Sequence, residues 1–326
     1  MAVLDGVRSP VFGAPGEAHF LPAVGFPIHL GASSVSLKTW MLAARPKTLW
    51  AGAGPVFMGT AMAATDGAFH PGAALCALAG ALLIQIGTNF ANDYFDFVKG
   101  TDTAERVGPT RATQAGLVTP VQMRNATIFV FGLAFLSGLY LVYRGGTPIL
   151  ALGLVSILCG VLYTGGPYPL GYLGLGDLFV LVFFGPVAVG GTYYVQALHL
   201  PMLPLVAGLA PGLISCAILT ANNLRDADGD VKTGKRTLAV RFGKGFARAE
   251  YLVSLLGGVV AVPVALAVLA PGHAKCLAAV LAFAPGIKPL KTVLSGGEGA
   301  ALNTVLADTG KVLLLFSVLF SLGWLL

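Results

Sequence analysis

The stretch ALLIQIGTNFANDYFDF, residues 81–97, joins a long apolar run to a dense group of amide and carboxylate side chains. Polar groups at membrane depth are costly and usually serve a function. The apolar character extends along the chain, which is 56% hydrophobic and only 10% charged, with a mean hydropathy of +0.81. The sequence therefore predicts an all-α, multi-pass membrane protein in which the few intramembrane polar groups form a site.

Apolar runs recur from residue 49 to the C-terminal end of the sequence. A helix of about 20 apolar residues spans the hydrocarbon core of a bilayer, and Gly and Pro are tolerated inside such helices. On this basis we predict roughly nine transmembrane helices, in the runs 49–64, 73–91, 125–143, 147–164, 177–197, 203–221, 251–270, 276–294 and 309–326.

The distribution of basic residues predicts the orientation. Of the 20 Lys and Arg residues, all but Arg144 and Lys275 fall on the side that holds the N terminus and every second loop. Cytoplasmic loops carry such an excess of Lys and Arg, so the N terminus is predicted to be cytoplasmic. The net charge of +6 then follows from topology and an anionic leaflet, and it requires no nucleic-acid partner. Residues 1–37, rich in Gly and Pro, are predicted to form a flexible cytoplasmic tail before a membrane domain over 38–326.

Two predicted helix ends on the cytoplasmic side carry oxygen-rich faces. At 100° per residue, one stripe is formed by polar residues of the first segment, namely Gln85, Asn89, Asn92 and Asp96. In TANNLRDADGDVKTGKRT, residues 220–237, a second stripe at i, i+4 and i+8 is formed by Asn222, Asp226 and Asp230, provided that the helix persists that far. This doubled pattern predicts two polar helix ends that face each other across a cavity.

The residue types in these segments favour a diphosphate site. Mg²⁺ takes oxygen ligands and is usually held by one or two carboxylates together with substrate phosphates. Nearby cations, Arg111 in GPTRAT and Lys235 and Arg236 in GKRT, are suited to the remaining phosphate oxygens. The apolar interior would shelter a hydrophobic chain. Together these features predict a lipid diphosphate substrate and Mg²⁺ as cofactor.

Other interpretations explain some of these residues. A single Asp at a helix end is usually a cap or a solvated charge, and Asp228, which points away from the stripe, fits that description. A cation-coupled transporter would also place polar groups on broken membrane helices. The acids here cluster at the predicted cytoplasmic mouth and not near mid-span, which favours the diphosphate site.

At these two motifs the chain resembles the UbiA-type intramembrane prenyltransferases, and within them the 1,4-dihydroxy-2-naphthoate prenyltransferases of menaquinone biosynthesis. The superfamily resemblance rests on NDYFDFVKGTD (92–102) and RDADGD (225–230). The narrower resemblance rests on NNLRD with GKRTLAVRFG, on ARPKTL (44–49) and on YTGGPYPLGYLGLGDLFVLVFFGPVAVGGTYYVQ (163–196). In the first motif the last acid, Asp102, comes two residues later than in the shortest family form.

The resemblance implies a fold of nine transmembrane helices around a central cavity, with a cytoplasmic cap formed by the loops after helices 2 and 6. It implies that the Mg²⁺–diphosphate assembly is bound by Asn92, Asp96, Asp226 and Asp230. Supporting roles would fall to Asp93, Asp102, Asn222, Asn223 and Arg225. The diphosphate would be held by Lys235, Arg236, Arg111, Lys47 and Arg45, of which the last two are equally interpretable as positive-inside anchors.

The implied reaction is electrophilic aromatic prenylation. Diphosphate leaves the allylic carbon of a polyprenyl diphosphate, the dihydroxynaphthoate ring attacks that carbon, and carbon dioxide is lost to give demethylmenaquinol in the cell membrane. A sister enzyme would use another ring, such as 4-hydroxybenzoate or homogentisate.

The candidate acceptor-binding residues are Gln85, Asn89, Tyr163, Tyr168 and Asp177. Asp177 could orient a hydroxyl of the ring, but an N-cap role for the fifth helix is favoured. Gln85 and Asn89 could polarise the ring or only satisfy each other across helices.

Overall fold

The computed structural model describes residues 35–101 and 107–326, and the regular structure in these two ranges is entirely helical. The predicted tail lies outside them except for residues 35–37, and Asp102 lies outside them as well. The first helix, α1, begins at Leu37 and is capped by the Ser36 hydroxyl, which accepts a hydrogen bond from the Thr39 amide. The prediction of a flexible tail over 1–37 stays a prediction for residues 1–34.

The described residues form twelve α-helices. These are α1 (Leu37–Ala44), α2 (Trp50–Thr65), α3 (Pro71–Val98), α4 (Pro120–Gly145), α5 (Thr147–Leu162), α6 (Gly176–Phe183), α7 (Pro186–Ala197), α8 (Met202–Lys232), α9 (Leu238–Leu256), α10 (Val262–Leu269), α11 (Phe283–Leu294) and α12 (Ala300–Leu325). Shorter pieces of other helix types are Pro46–Thr48 and Pro271–Ala282, both 3₁₀, and the π-helical turn Gly257–Ala261.

In the described part of the chain, seven helical segments are long and apolar enough to cross a membrane. They are Pro71–Val98, Pro120–Gly145, Gly176–Ala197, Met202–Lys232, Leu238–Leu269, Pro271–Leu294 and Ala300–Leu325. The other two predicted runs form the 16-residue helices α2 and α5, which at 1.5 Å per residue are shorter than a typical hydrocarbon core. A multi-pass membrane protein is therefore confirmed, and the count of nine spans stays a prediction.

The predicted run 177–197 is not one continuous helix. Gly185 adopts a non-helical conformation (φ −115°, ψ −113°), and Pro186 starts α7 at its first position. Proline lacks the amide hydrogen needed to continue α6 and its fixed φ favours the first turn of a new helix. The break separates the short α6, beside the polar region described below, from α7.

The interior of the bundle is formed by α8 and α12 together with their neighbours. Its largest fully buried side chains include Tyr193, Tyr251, Phe316 and Phe320. In contrast, α4 exposes large apolar side chains such as Ile128, Phe129 and Leu136 along its outer face. An outward apolar face of this kind is suited to contact with lipid tails. The two motif helices, α3 and α8, present their polar faces to a cavity within the bundle.

Candidate active site

The first motif helix, α3, ends in a Schellman motif. Gly100 has a left-handed backbone (φ 69°), a conformation that glycine adopts without the steric cost of a Cβ. Its amide donates to the Phe97 carbonyl over 3.0 Å, and the Thr101 amide donates to the Asp96 carbonyl over 3.0 Å. These are the two bonds of the motif. The cap terminates α3 just after Asp96 and keeps this carboxylate in the last helical turn.

The second motif helix, α8, ends in the same way. Gly234 has φ 75°, its amide donates to the Val231 carbonyl over 3.3 Å, and the Lys235 amide donates to the Asp230 carbonyl over 2.9 Å. Asp230 thus occupies the helix position that Asp96 occupies in α3. The cap also folds Lys235 back over the end of α8.

One cavity of about 430 Å³ is lined by polar residues from both motif helices. From α3 these are Gln85, Asn89, Asn92 and Asp96, and from α8 they are Asn222, Asn223, Asp226 and Asp230. The helix α8 extends to Lys232, as the second polar stripe required. The two oxygen-rich helix ends therefore share one cavity.

Asp96 is paired with groups from distant segments of the chain. Its residue is 1% exposed, and its oxygens accept a hydrogen bond from the Tyr172 hydroxyl (2.8 Å) and an ion pair from Arg111 (3.1 Å). The ammonium group of Lys235 lies 3.4 Å from Asp96 Oδ1. Because Lys235 belongs to the second motif segment, this contact joins the two motifs directly.

Tyr172 is a site residue that the sequence did not reveal. Its hydroxyl contacts Asp96, while its ring lies 4.9 Å from the Lys99 ammonium and 4.8 Å from the Lys235 ammonium. Both distances are typical of cation–π contacts. Burial lowers the pKa of Lys99, and the nearby Asp96 carboxylate partly opposes that effect. Tyr172 thus holds two cations beside the carboxylate.

Asp93 supports the site without lining the cavity. Its buried carboxylate accepts hydrogen bonds from the backbone amides of Ala112 (2.9 Å) and Thr113 (3.0 Å). These amides directly follow Arg111, whose side chain reaches Asp96. Asp93 therefore fixes the loop that presents Arg111 to the cavity.

Asp226 in the second motif is held by its own neighbour. The Arg225 guanidinium donates to both carboxylate oxygens, over 2.8 and 2.6 Å, and to Asn222 Oδ1 over 2.7 Å. The Asp226 side chain is 16% exposed, against 2% for Asp96. Asp226 is thus the more accessible of the two carboxylates.

The oxygen donors at the polar end of the cavity fit a magnesium–diphosphate assembly. Asp96, Asp226, Asp230 and the Asn92 amide oxygen are hard ligands, and all four residues line the same space. Among the described residues, no group of three or more His, Cys, Asp or Glu side chains lies close enough to form a ready metal cage. Mg²⁺ typically uses one or two carboxylates and completes its coordination with substrate phosphate and water. A divided set of carboxylates that lines one cavity is therefore suitable.

The predicted cationic residues separate into two groups. Arg45, Arg111 and Lys235 line the cavity. Lys47 and Arg236 have exposed side chains and lie outside its lining among the described residues. Arg236 contacts the site through its backbone, with its amide donating to the Tyr172 carbonyl over 2.9 Å.

The predicted acceptor residues also differ in whether they line the cavity. Tyr163 lines the cavity, whereas Tyr168 is 76% exposed and lies away from it. Gln85 and Asn89 line the cavity, but they donate hydrogen bonds to residues of the segment before α2 rather than to each other. Gln85 donates to the Thr48 hydroxyl (3.3 Å), and Asn89 donates to the same hydroxyl (3.2 Å) and to the Ala44 carbonyl (3.0 Å).

The N-cap interpretation of Asp177 is wrong. Helix α6 begins at Gly176, and its N-cap is Leu175, without a capping side chain. Asp177 therefore lies one residue inside the helix, where its carboxylate cannot fill the N-cap position. Its Oδ1 is buried without a hydrogen-bond partner in the described part of the chain, and Asp177 lies outside the cavity lining.

Away from its polar end the cavity is lined by apolar side chains. Phe179, Phe183 and Phe184 border it on one side. On another side, lining residues of α4 and α5 are themselves partly exposed on the surface of the bundle, at 43% for Phe135, 45% for Leu139 and 50% for Leu154. The apolar part of the cavity therefore reaches the lipid-facing surface.

Comparison with known proteins agrees with this architecture. A model of the UbiA prenyltransferase family matches residues 53–295. The chain is 41% identical to a 1,4-dihydroxy-2-naphthoate octaprenyltransferase of Mycobacterium tuberculosis, over 87% of this chain and 95% of that protein. It is 40% identical to the Escherichia coli protein of the same name, over 88% and 94% of the two chains.

A solved structure gives the same result for the fold. The structure of a UbiA homologue from Archaeoglobus fulgidus, bound to DMAPP and Mg²⁺, superposes with a TM-score of 0.57 at 14% identity, over 88% of this chain and 99% of that one. At that identity the likeness concerns the fold alone. The family model and the two relatives cover most of the chain, and the protein accordingly belongs to the UbiA prenyltransferase family.

Proposed function

We propose that the protein transfers a polyprenyl group from an all-trans-polyprenyl diphosphate to 1,4-dihydroxy-2-naphthoate. The products would be demethylmenaquinol, diphosphate and carbon dioxide. The observation that carries the proposal is the contact between Lys235 and Asp96 at 3.4 Å, which joins the two motifs in one cavity. The acceptor is inferred from the two relatives about 40% identical, which are named for dihydroxynaphthoate.

The polar end of the cavity would bind the diphosphate. Asn92, Asp96, Asp226 and Asp230 would hold Mg²⁺, which when bound neutralises charge on the departing diphosphate. Arg111 and Lys235 already converge on Asp96, so their N–H groups are within reach of phosphate oxygens in the same space. Electrostatic stabilisation of the leaving anion is the main catalytic contribution we assign to this chain.

The apolar part of the cavity would hold the prenyl chain near its reacting end. The exposed lining residues Phe135, Leu139 and Leu154 indicate where the rest of the tail would pass into lipid. The phenylalanines of α6 and its C-terminal turn would keep water from the allylic cation.

The acceptor ring would lie between the diphosphate end and the apolar wall. Its carboxyl-bearing carbon attacks the allylic carbon as the carbon–oxygen bond to diphosphate breaks. The bond to the carboxylate then breaks, carbon dioxide leaves, and its electron pair restores the aromatic ring. Of the predicted acceptor residues that line the cavity, Gln85 and Asn89 already donate to Thr48, so we assign contact with the ring to Tyr163.

We further propose nine membrane crossings, with α2 and α5 as the two short ones, and a cell-membrane location with the N terminus and the site mouth cytoplasmic. The basic residues around the site, including Lys99 and Lys235, support this orientation. The loops after α3 and α8 would form the cytoplasmic cap.

The proposal is tested with membranes that contain the protein, Mg²⁺, labelled polyprenyl diphosphates and a panel of aromatic acceptors. We expect a prenylated naphthoquinol by mass spectrometry, together with diphosphate and carbon dioxide. Product only with 4-hydroxybenzoate or homogentisate would contradict the assigned acceptor. Ion-coupled flux in sealed vesicles without diphosphate release would contradict prenyl transfer itself.

A further inference from the structure

Behind the second motif, a side chain on α12 contacts the group that holds Asp226. Asn303 Oδ1 accepts a hydrogen bond from Arg225 Nη1 over 2.8 Å. The same guanidinium uses Nε and Nη2 to bind both oxygens of Asp226 and also reaches Asn222. Asp226 and Asn222 line the cavity, whereas Arg225 and Asn303 lie outside its lining. Arg225 and Asn303 therefore act from behind the groups that face the substrate.

The amide nitrogen of Asn303 makes a second contact. It donates to the carbonyl oxygen of Val107 over 3.2 Å. Val107 precedes Arg111 in the loop after the first motif. One side chain thus links the arginine of the second motif to the loop that carries Arg111.

We propose that Asn303 is a positioning residue that sets the Asp226 carboxylate for divalent-cation binding. Arg225 can wrap around the neighbouring Asp226 only while its guanidinium plane is fixed, and Asn303 and Asn222 supply the two outer acceptors that fix it. Partners behind metal ligands orient those ligands, and their removal typically costs about 10–100-fold in metal affinity or activity. This inference rests on the proposed function, in which Asp226 is a metal ligand.

The opposite role for the Arg225–Asp226 pair would be to obstruct cation binding. If the Arg225–Asp226 pair instead had to open before a cation could bind, weakening it would improve metal affinity. The sign of the change in metal affinity therefore decides between positioning and obstruction.

The test uses the full chain in detergent or nanodiscs, with Mn²⁺ as a spectroscopic probe and geranyl diphosphate present without acceptor. Bound Mn²⁺ is quantified by electron paramagnetic resonance. For Asn303→Ala we expect the Mn²⁺ dissociation constant to rise about tenfold or more. For Asn303→Asp we expect a rise below about threefold, because a carboxylate still accepts from Arg225.

Two further variants complete the test. Thr304→Ala, at the next and exposed position of α12, is the matched control and should bind Mn²⁺ like the unaltered protein. Arg225→Lys keeps the charge but cannot hold both carboxylate oxygens, so it should weaken Mn²⁺ binding as Asn303→Ala does. It also provides the test if Asn303→Ala does not fold as judged by thermal unfolding.

A folded Asn303→Ala or Arg225→Lys with unchanged or tighter Mn²⁺ binding would overturn the inference. So would an equal loss in Asn303→Asp and Asn303→Ala, because the acceptor to Arg225 would then be irrelevant. Asp226→Asn distinguishes failure of the proposed metal site from failure of the positioning role of Asn303. If Asp226→Asn leaves Mn²⁺ binding unchanged, the proposed metal site fails; if only the Asn303 and Arg225 variants do so, the positioning role alone fails.

Discussion

The ends of α3 and α8 share one backbone design and differ in what holds their carboxylates. Both close with a glycine-based Schellman motif whose helix-terminal acid is Asp96 in one and Asp230 in the other. Asp96 is fixed by groups from distant segments, Arg111, Tyr172 and Lys235. Asp226 is held mainly by the adjacent Arg225. The first end thus depends on contacts from several distant segments, whereas the Asp226 carboxylate at the second end is paired with an adjacent arginine that Asn303 of α12 contacts from behind.

Substitution of Asp96 and of Asp226 should lower kcat similarly but should lower the free energy of unfolding by different amounts. We expect Asp96→Asn and Asp226→Asn each to lower kcat by at least about a hundredfold, because each removes a carboxylate ligand from the proposed Mg²⁺ site. Asp96→Asn should also cost about 3 kcal/mol in the free energy of unfolding, since it leaves two cations without their carboxylate. Asp226→Asn should cost roughly half as much, because Arg225 keeps Asn222 and Asn303 as acceptors. Diphosphate release and denaturant unfolding in detergent measure both quantities, and equal stability losses would contradict the comparison.

The next largest effect distinguishes two adjacent cations. Lys235 contacts Asp96 inside the cavity, and Arg236 is exposed outside it. Lys235→Gln should raise KM for the polyprenyl diphosphate about tenfold, since one charge-assisted contact is worth more than 1.4 kcal/mol. Arg236→Gln, as the matched control, should stay within about twofold. Steady-state kinetics at saturating acceptor give the answer, and a larger effect at Arg236 would restore its predicted role in diphosphate binding.

A third effect concerns the loop that carries Arg111. Asp93→Asn replaces a carboxylate oxygen by an NH₂ group that cannot accept from the amides of Ala112 or Thr113. We expect unfolding to become easier by about 1–3 kcal/mol. Asp228→Asn, whose side chain is 83% exposed, should change it by less than about 0.5 kcal/mol. Chemical denaturation of both variants measures the difference, and similar values would show that Asp93 does not anchor the loop.

The smallest effect is at Tyr172. Tyr172→Phe keeps the ring between the Lys99 and Lys235 ammonium groups and removes only the hydroxyl bonded to Asp96. We expect about 1 kcal/mol, a change of roughly fivefold in kcat/KM. A loss near that of Asp96→Asn would instead assign the Tyr172 hydroxyl a direct part in the reaction.

Helical periodicity was sufficient to predict the polar faces of the site. Residues four apart lie on one helix face, so the stripe ending at Asp96 and the stripe ending at Asp230 follow from spacing alone. Both stripes line the cavity. The pairing of equivalent positions needed the helix ends as well, because the matching caps align Asp96 with Asp230.

Helical periodicity does not predict where residues of non-helical segments lie. Tyr172 lies in the loop between α5 and α6, where its position depends on long-range contacts such as that of its carbonyl with the Arg236 amide. The turn after α8 directs Lys235 inward and leaves Arg236 exposed, although both are adjacent cations in the sequence. The start of α6 one residue before Asp177 is likewise within the uncertainty of helix boundaries.

The ends of α3 and α8 are proposed to bind the same diphosphate. The most direct measurement is an experimental structure with Mn²⁺ and a non-hydrolysable prenyl thiodiphosphate, with the metal located by anomalous scattering. We expect one diphosphate contacting Lys235, with metal density against carboxylates of both α3 and α8. A diphosphate and metal bound by the residues of one helix end alone, with the other end distant from both, would contradict it.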